Sequence, residues 1–174
     1  DFVNSFLLLH SHANYITLNV SCPNVISCQE VSQVSFIESL LQRIYELKKE
    51  KSIKKDVFIK IGPEMSEDEL DKVIELCLQF DVVGVVATNL VKKRSNLPQH
   101  KSSDIELDHP GGISGKLVER RSNDTIEYIY KKTQGKLKII GVGGVFTAKD
   151  AYDKIKSGAS AVQLITGFIY GGPF

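Results

Sequence analysis

The chain has 174 residues, of which 42% are hydrophobic and 25% charged, and its formal net charge is +1. This composition is typical of a globular domain with a real core, and the near-zero charge argues against a nucleic-acid partner or an electrostatic membrane surface. There is no apolar run of bilayer length, no signal peptide and no metal-ligand spacing among the three cysteines. We therefore expect a metal-free, cytoplasmic protein with free thiols.

A short strand is predicted at Tyr15–Leu18, and it leads into the motif Asn19-Val20-Ser21-Cys22-Pro23-Asn24. Asn19 and Asn24 each offer an acceptor and two donors, which suits the edge of a planar heterocycle with carbonyl and N–H groups. Cys22 between them is a candidate proton-transfer group or nucleophile. The alternative, a proline turn with a buried cysteine, stays open on these residues alone.

Periodicity and capping signals predict helices around this strand. Residues 1–13 carry the pattern of the end of an amphipathic helix. The pattern Ser35-x-x-Glu38 predicts a capping box at the start of a helix that reaches Leu47. The pattern Ser66-x-x-Glu69 predicts another, with Cys77 on the buried face of its helix.

The second predicted strand, residues 57–63, carries one lysine in an otherwise apolar run. Because burying an ammonium group without a partner is costly, Lys60 needs an explanation. Either the strand lies at the edge of the sheet and Lys60 reaches into solvent, or Lys60 is held near the strand end to face an anionic ligand.

The third predicted strand, residues 82–89, is almost continuously apolar, as expected when both faces of a sheet are covered, and it ends in Thr88 and Asn89. Residues 90–121 then show no clear period. So long a connection is typical of a functional loop, and its glycine-rich part, 111–116, allows close backbone approach to a ligand.

The last third of the chain repeats the same order of elements. A helix is predicted from about Ser122 to Gly135, and a strand plus a glycine turn at 138–145. The pattern Thr147-x-x-Asp150 predicts a capped helix that Gly158 ends, and a final strand follows at 161–167.

Glycine turns at the ends of the last two strands predict a phosphate site. Gly143-Gly144 follows one strand and Thr166-Gly167 follows the next. Backbone N–H groups at such turns bind phosphate well, and the loops after the last two strands of a β/α barrel commonly do so.

The predicted order is five strands alternating with helices, with the polar and glycine-rich chemistry at strand C-termini. This is typical of a parallel α/β fold, and specifically of a (β/α)8 TIM barrel. A closed barrel needs eight strands and about 250 residues, so we expect this chain to cover roughly the last five strands. We interpret residues 1–174 as one partial barrel domain, truncated at both ends.

The sequence resembles the dihydroorotate dehydrogenase family, the flavin enzymes of pyrimidine biosynthesis. The resemblance is carried, in the family's order, by six blocks: 19–24, 58–63, 86–89, 111–116, 140–145 and 158–164.

The resemblance implies an FMN-dependent barrel that oxidises dihydroorotate to orotate. Asn19, Asn24 and Asn89 would hold the pyrimidine, and Cys22 would be the base that removes a proton next to the substrate carbonyl. The residues implied to contact FMN, the later ones around its phosphate, are Lys60, Thr88, Ser114, Gly115, Gly143, Gly144, Ile165 and Thr166.

Two departures from the family pattern bear on the electron acceptor and the substrate. Much of the sequence is similar to the membrane-associated, quinone-linked class 2 enzymes, whereas Ser-Cys-Pro-Asn is similar to the soluble class 1 enzymes. The resemblance therefore implies either a quinone or fumarate/NAD as the electron acceptor. It also implies a full-length protein that is cytoplasmic or peripheral on the inner membrane, and a homodimer as one candidate assembly. Leu90 also replaces a hydroxyl residue that commonly contacts the substrate in the family.

Two other functions are compatible with the sequence. One is a different FMN barrel acting on pyrimidines, similar to dihydropyrimidine dehydrogenase, in which cysteine is also the usual acid/base. The other is an inactive barrel fragment that binds only a phosphate ligand or a partner.

Overall fold

A computed structural model describes residues 2–21, 33–92 and 111–172. Its strands are β1 (Tyr15–Asn19), β2 (Asp56–Ile61), β3 (Gly84–Ala87), β4 (Lys138–Val142) and β5 (Ala161–Gln163). Its helices are α1 (Phe2–Leu9), α2 (Gln33–Glu50), α3 (Glu67–Gln79), α4 (Glu119–Thr133), α5 (Ala148–Lys156) and α6 (Thr166–Gly171), with a 3-10 turn at Gly115–Val118 just before α4.

The strands form one parallel sheet in chain order, β1-β2-β3-β4-β5. Parallel pairing places the C-terminal ends of all the strands at the same edge of the sheet. The register sets Asn19 beside Lys60, and Val142 beside Gln163. The predicted parallel β/α order is thus confirmed for the described residues.

Alternate residues of the strands face two apolar layers. Val57, Ile59 and Ile61 of β2 belong to the main core, which packs the sheet against the helices. Phe58 faces the other side, where it joins Val86 and Ile140 in a smaller cluster. Because side chains alternate along a strand, Lys60 lies on the same face as Phe58.

The capping signals succeed at two helices and fail at one. Ser66 and Thr147 both form complete capping boxes, with Glu69 and Asp150 as the reciprocal partners. Ser35 does not cap a helix: it lies inside α2, where its carbonyl oxygen accepts a hydrogen bond from the Ser39 hydroxyl. Because α2 already begins at Gln33, the Ser-x-x-Glu pattern here falls inside the helix and not at its start.

Helix α4 begins earlier than the sequence pattern indicates, at Glu119 instead of near Ser122. The 3-10 turn runs directly into it, and the residue before Glu119 is Val118, which offers no capping side chain. Its start therefore carries no cap signal in the sequence.

Cys77 lies fully buried in α3, as predicted, and burial raises the pKa of its thiol to about 12.

Within the described ranges, no helix is both long and apolar enough to cross a membrane.

Candidate functional site

A cavity of about 570 Å³ lies at the C-terminal ends of β2 to β5. This volume is in the range of small-molecule and cofactor sites. Its walls come from four parts of the chain: Lys60 of β2, residues 88–90 after β3, residues 142–145 after β4 and residues 163–167 after β5. A fifth part, the 3-10 turn with the serine before it, contributes Ser114, Gly115 and Val118.

The structure brings together every residue that the resemblance implies for FMN. All of them line this one cavity: Lys60, Thr88, Ser114, Gly115, Gly143, Gly144, Ile165 and Thr166. Asn89 lines it as well. Cys22 and Asn24 lie outside the described residues. The roles of all these side chains remain predictions.

Asn19, Ser21 and Asn89 form a hydrogen-bonded cluster beside the cavity. The Asn89 amide nitrogen donates to the Ser21 hydroxyl over 2.8 Å and to the Asn19 amide oxygen over 3.4 Å. The Ser21 hydroxyl in turn donates to that same oxygen over 3.2 Å. The Asn19 oxygen is therefore used within the cluster, and its N–H groups have no acceptor among the described residues. They are the groups that this cluster can offer to a ligand carbonyl.

Lys60 is not on an edge strand, so that alternative is wrong. Its strand β2 is paired on both sides, with β1 and β3. The side chain lines the cavity, and no carboxylate of the described residues forms an ion pair with it. A half-buried lysine that lines a cavity and has no carboxylate partner among the described residues favours an anionic or electron-rich ligand.

Thr88 presents a polar atom that the protein itself does not satisfy. The residue is only 2% exposed, and its Oγ1 has no hydrogen-bond partner among the described residues. Its backbone N–H donates to the carbonyl oxygen of Val142, and this bond holds the residue after β3 against the end of β4. An unpaired buried hydroxyl costs about 1–3 kcal/mol, so a ligand that bonds to it gains this amount.

The glycine turn after β4 is held tightly against its neighbours. Gly144 has φ +77°, and a Cβ there would lie 2.4 Å from the Glu119 Cβ. A Cβ on Gly167 would lie 2.1 Å from the carbonyl oxygen of Val145. Across the same space the hydroxyls of Ser114 and Thr166 are 2.9 Å apart. Three backbone segments thus converge on one side of the cavity, and glycine turns of this kind commonly bind phosphate through their N–H groups.

Some residues of the site were not singled out from the sequence. Ser21 lies inside the first motif and Gln163 ends β5, but neither is among the predicted site residues. The signal for Gln163 was its position, since polar side chains at strand C-termini face the ligand in this architecture. Leu90 also lines the cavity, and its side chain packs over Gly112, where a Cβ would be 1.8 Å from Leu90 Cδ1.

Comparison with known proteins agrees with this geometry. The family model described as Dihydroorotate dehydrogenase matches residues 1–174. A dihydroorotate dehydrogenase (quinone) from Crocosphaera subtropica is 40% identical over 177 residues, covering 100% of this chain and 46% of the relative. One of the same name from Christiangramia forsetii is 36% identical over 173 residues, covering 99% and 49%.

Solved structures show the same fold. The crystal structure of DHODH from Eimeria tenella in complex with ferulenol superimposes with a TM-score of 0.82 at 27% identity, covering 99% of this chain and 50% of that one. Its ligand-free form gives 0.81. The predicted fold class is thus confirmed: the five-stranded sheet matches part of a TIM barrel of this type. The chain spans about half the length of the relatives it matches. Because the family model matches this chain over residues 1–174, the chain belongs to the dihydroorotate dehydrogenase family.

Proposed function

We propose that residues 1–174 form the FMN- and pyrimidine-binding part of a dihydroorotate dehydrogenase, a partial barrel domain of a longer protein. The reaction is the oxidation of dihydroorotate to orotate in pyrimidine biosynthesis. The observation that carries the proposal is that one cavity gathers Lys60, the unpaired Thr88 hydroxyl and the glycine turn at 143–144.

The residues of the cavity fit FMN on two observations. The turn that requires glycine at 144 would supply backbone N–H groups for the phosphate, and a polar ring edge would supply the partner that the Thr88 hydroxyl lacks. Lys60 would lie by the ring, where its charge favours an electron-rich state. The chemistry that FMN would supply here is that of a hydride acceptor.

The substrate would lie against the cluster of Asn19 and Asn89, with Asn24 completing its contacts. Ser21 holds the Asn19 oxygen, so the Asn19 N–H groups face outward as donors for a pyrimidine carbonyl. Fixed amides orient a planar ring and place its reacting carbons.

Cys22 would act as the base. Its sulfur takes a proton from the carbon next to the carbonyl, while the neighbouring carbon loses a hydride and the C=C bond of orotate forms. A thiol has an unperturbed pKa of about 8.5, so some thiolate exists near neutral pH without a strong helper.

We propose a quinone as the electron acceptor, because the relatives above are named as quinone enzymes. Quinones of this kind reside in membranes, so the full-length protein would work at the inner-membrane surface.

The test is flavin reduction followed by stopped flow across pH in full-length Cys22→Ala and Cys22→Ser variants. Loss of a general base typically slows its step by about 10²–10⁴-fold. We expect Cys22→Ala to retain FMN and bind orotate yet reduce flavin more slowly by that factor. Cys22→Ser should regain some rate only at higher pH. Cys28→Ala is the matched control for losing a thiol, and it should keep the wild-type rate.

Two outcomes would contradict the proposal at different levels. An unchanged rate in Cys22→Ala would remove Cys22 from the mechanism. The activity itself would be contradicted if the purified wild-type protein showed no flavin absorbance. It would also be contradicted if adding dihydroorotate did not bleach the flavin absorbance.

A further inference from the structure

A lysine next to the lining segment 114–115 is not itself part of the cavity wall. Lys116 follows the lining residues Ser114 and Gly115 but does not line the cavity itself. Its ammonium group lies 2.6 Å from the Asp150 carboxylate and 2.8 Å from that of Glu119.

Asp150 connects this cation to the turn after β4. One of its oxygens accepts the contact from Lys116, and the other accepts the backbone N–H groups of Phe146 and Thr147, each over 3.0 Å. The hydrogen bond from Lys116, followed by those from these N–H groups, holds the pKa of the Asp150 carboxyl well below its usual range. The carboxylate is therefore charged at neutral pH.

The three segments that line the phosphate end of the cavity are consequently fastened to one another in pairs. Lys116–Asp150 joins the 114–118 segment to the 143–147 turn. The hydroxyls of Ser114 and Thr166 join the first segment to the 163–167 segment, and Gly167 packs against the Val145 carbonyl. Only the first of these links depends on charge.

We infer that Asp150 and Lys116 are positioning residues for the phosphate group of the cofactor: their ion pair sets the spacing of the glycine turn without touching the ligand. This inference rests on the proposed function. Its consequence is specific, because a misplaced turn weakens contacts to the phosphate and leaves contacts to the ring unaffected.

The experiment compares FMN with riboflavin, which lacks the phosphate, binding to the full-length apoprotein and followed by quenching of flavin fluorescence. In wild type, FMN should bind more tightly than riboflavin. In Asp150→Asn and Lys116→Met the ratio of the two affinities should fall by about tenfold, the equivalent of one charged hydrogen bond, with riboflavin affinity unchanged.

The second test variant and one control make the result interpretable. Lys116→Met leaves the capping box of α5 intact, so it tests the ion pair even if Asp150→Asn folds poorly. Asp153→Asn is the matched control, since it breaks the surface pair with Lys149 on the same helix. It should keep the wild-type ratio.

An unchanged FMN-to-riboflavin ratio in both test variants, or an equal loss for the two flavins, would overturn this inference while leaving the proposed function standing. A wild-type protein that binds neither flavin would overturn both together.

Discussion

At the scale of single residues, the site depends on polar groups that the protein places but does not fully satisfy. Thr88 keeps an unpaired hydroxyl, Lys60 has no described counter-charge, and Asn19 has unused N–H donors. The Thr88 hydroxyl is buried, Lys60 is half-buried in the same cavity, and Asn19 is exposed beside it, so together they indicate where a ligand completes the bonding. Each therefore affects ligand chemistry more than folding.

Lys60→Met should separate these two effects. The substitution retains most of the aliphatic stem and removes the ammonium group. We expect flavin reduction by dihydroorotate in the full-length protein to slow markedly, while the melting temperature changes little. Lys54→Met, at an exposed lysine before β2, is the control. A collapse of stability with an unchanged reduction rate would make Lys60 a structural residue.

Ser21→Ala should weaken substrate binding without unfolding the protein. The hydroxyl accepts from Asn89 and donates to Asn19, so its loss frees both amides to rotate. The binding free energy of orotate, measured by flavin absorbance titration, should become less favourable by about 1 kcal/mol, the net contribution of one hydrogen bond. Ser39→Ala, which removes an exposed hydroxyl on α2, should leave it unchanged. Equal affinities in Ser21→Ala and wild type would show that the amides hold their orientation unaided.

At the scale of elements, the packing of α5 on β4 includes a fully buried lysine. Lys154 is 0% exposed, its stem lies against Gly141, and its ammonium group donates to the Asn123 amide oxygen over 2.6 Å. Burial lowers the pKa of Lys154 from 10.5 to about 8, a shift that Lys116 adds to and that the nearby carboxylates of Glu119 and Asp150 oppose.

This lysine should make stability depend on pH in a predictable direction. Between pH 8 and 10.5 the unfolded chain keeps the proton that the folded protein has released, so the free energy of unfolding rises with pH across this window. A shift of this size corresponds to about 3 kcal/mol. Urea unfolding should show this rise in wild type but not in Lys154→Met.

Lys156→Met, at an exposed position of the same helix, is the control and should keep the wild-type rise. If Lys154→Met shows the same pH dependence as wild type, the ammonium group is solvated and burial is not what lowers its pKa.

The order and type of the elements were predictable, whereas several of their ends were not. Alternating apolar runs and caps such as Ser66 and Thr147 locate the strands and helices. The last strand was predicted to run to residue 167, but pairing stops at Gln163, because the following residues turn to line the cavity. Apolar pattern alone does not distinguish a strand from a ligand-binding turn that continues it.

The site was predictable only where a motif carried it. Glycine turns and strand-end asparagines were visible in sequence, but the pairing of Ser114 with Thr166, or of Lys116 with Asp150, was not. Those partners are 52 and 34 residues apart, and only the folded sheet brings them together. Their residue types are also common on protein surfaces, so composition gives no signal.

At the scale of the whole molecule, the described sheet is open. Strands β1 and β5 pair only with β2 and β4, and apolar side chains at the β5 end remain exposed: Ile165 by 70%, Ile169 by 71% and Tyr170 by 81%. Open edges and exposed apolar surface favour association with further protein.

Residues 1–174 expressed alone should therefore behave poorly compared with the full-length protein. We expect low solubility, strong binding of a hydrophobic dye and weak FMN affinity, because the described sheet has two open edges and exposed apolar side chains next to β5. Size-exclusion chromatography with dye fluorescence measures this. A soluble, yellow preparation that unfolds cooperatively would contradict the expectation.

The pairing of Ser114 with Thr166 also has a consequence for the order of events during biosynthesis. Residues 163–167 form one wall of the cavity, and they follow all its other walls in the chain. A nascent chain that has emerged only as far as β4 already carries Lys60, Thr88 and the strand-end asparagines, yet it has no enclosed space between them. The cavity therefore has all its described walls only after β5 has been synthesised and has paired with β4, so we expect cofactor uptake to follow the synthesis of β5.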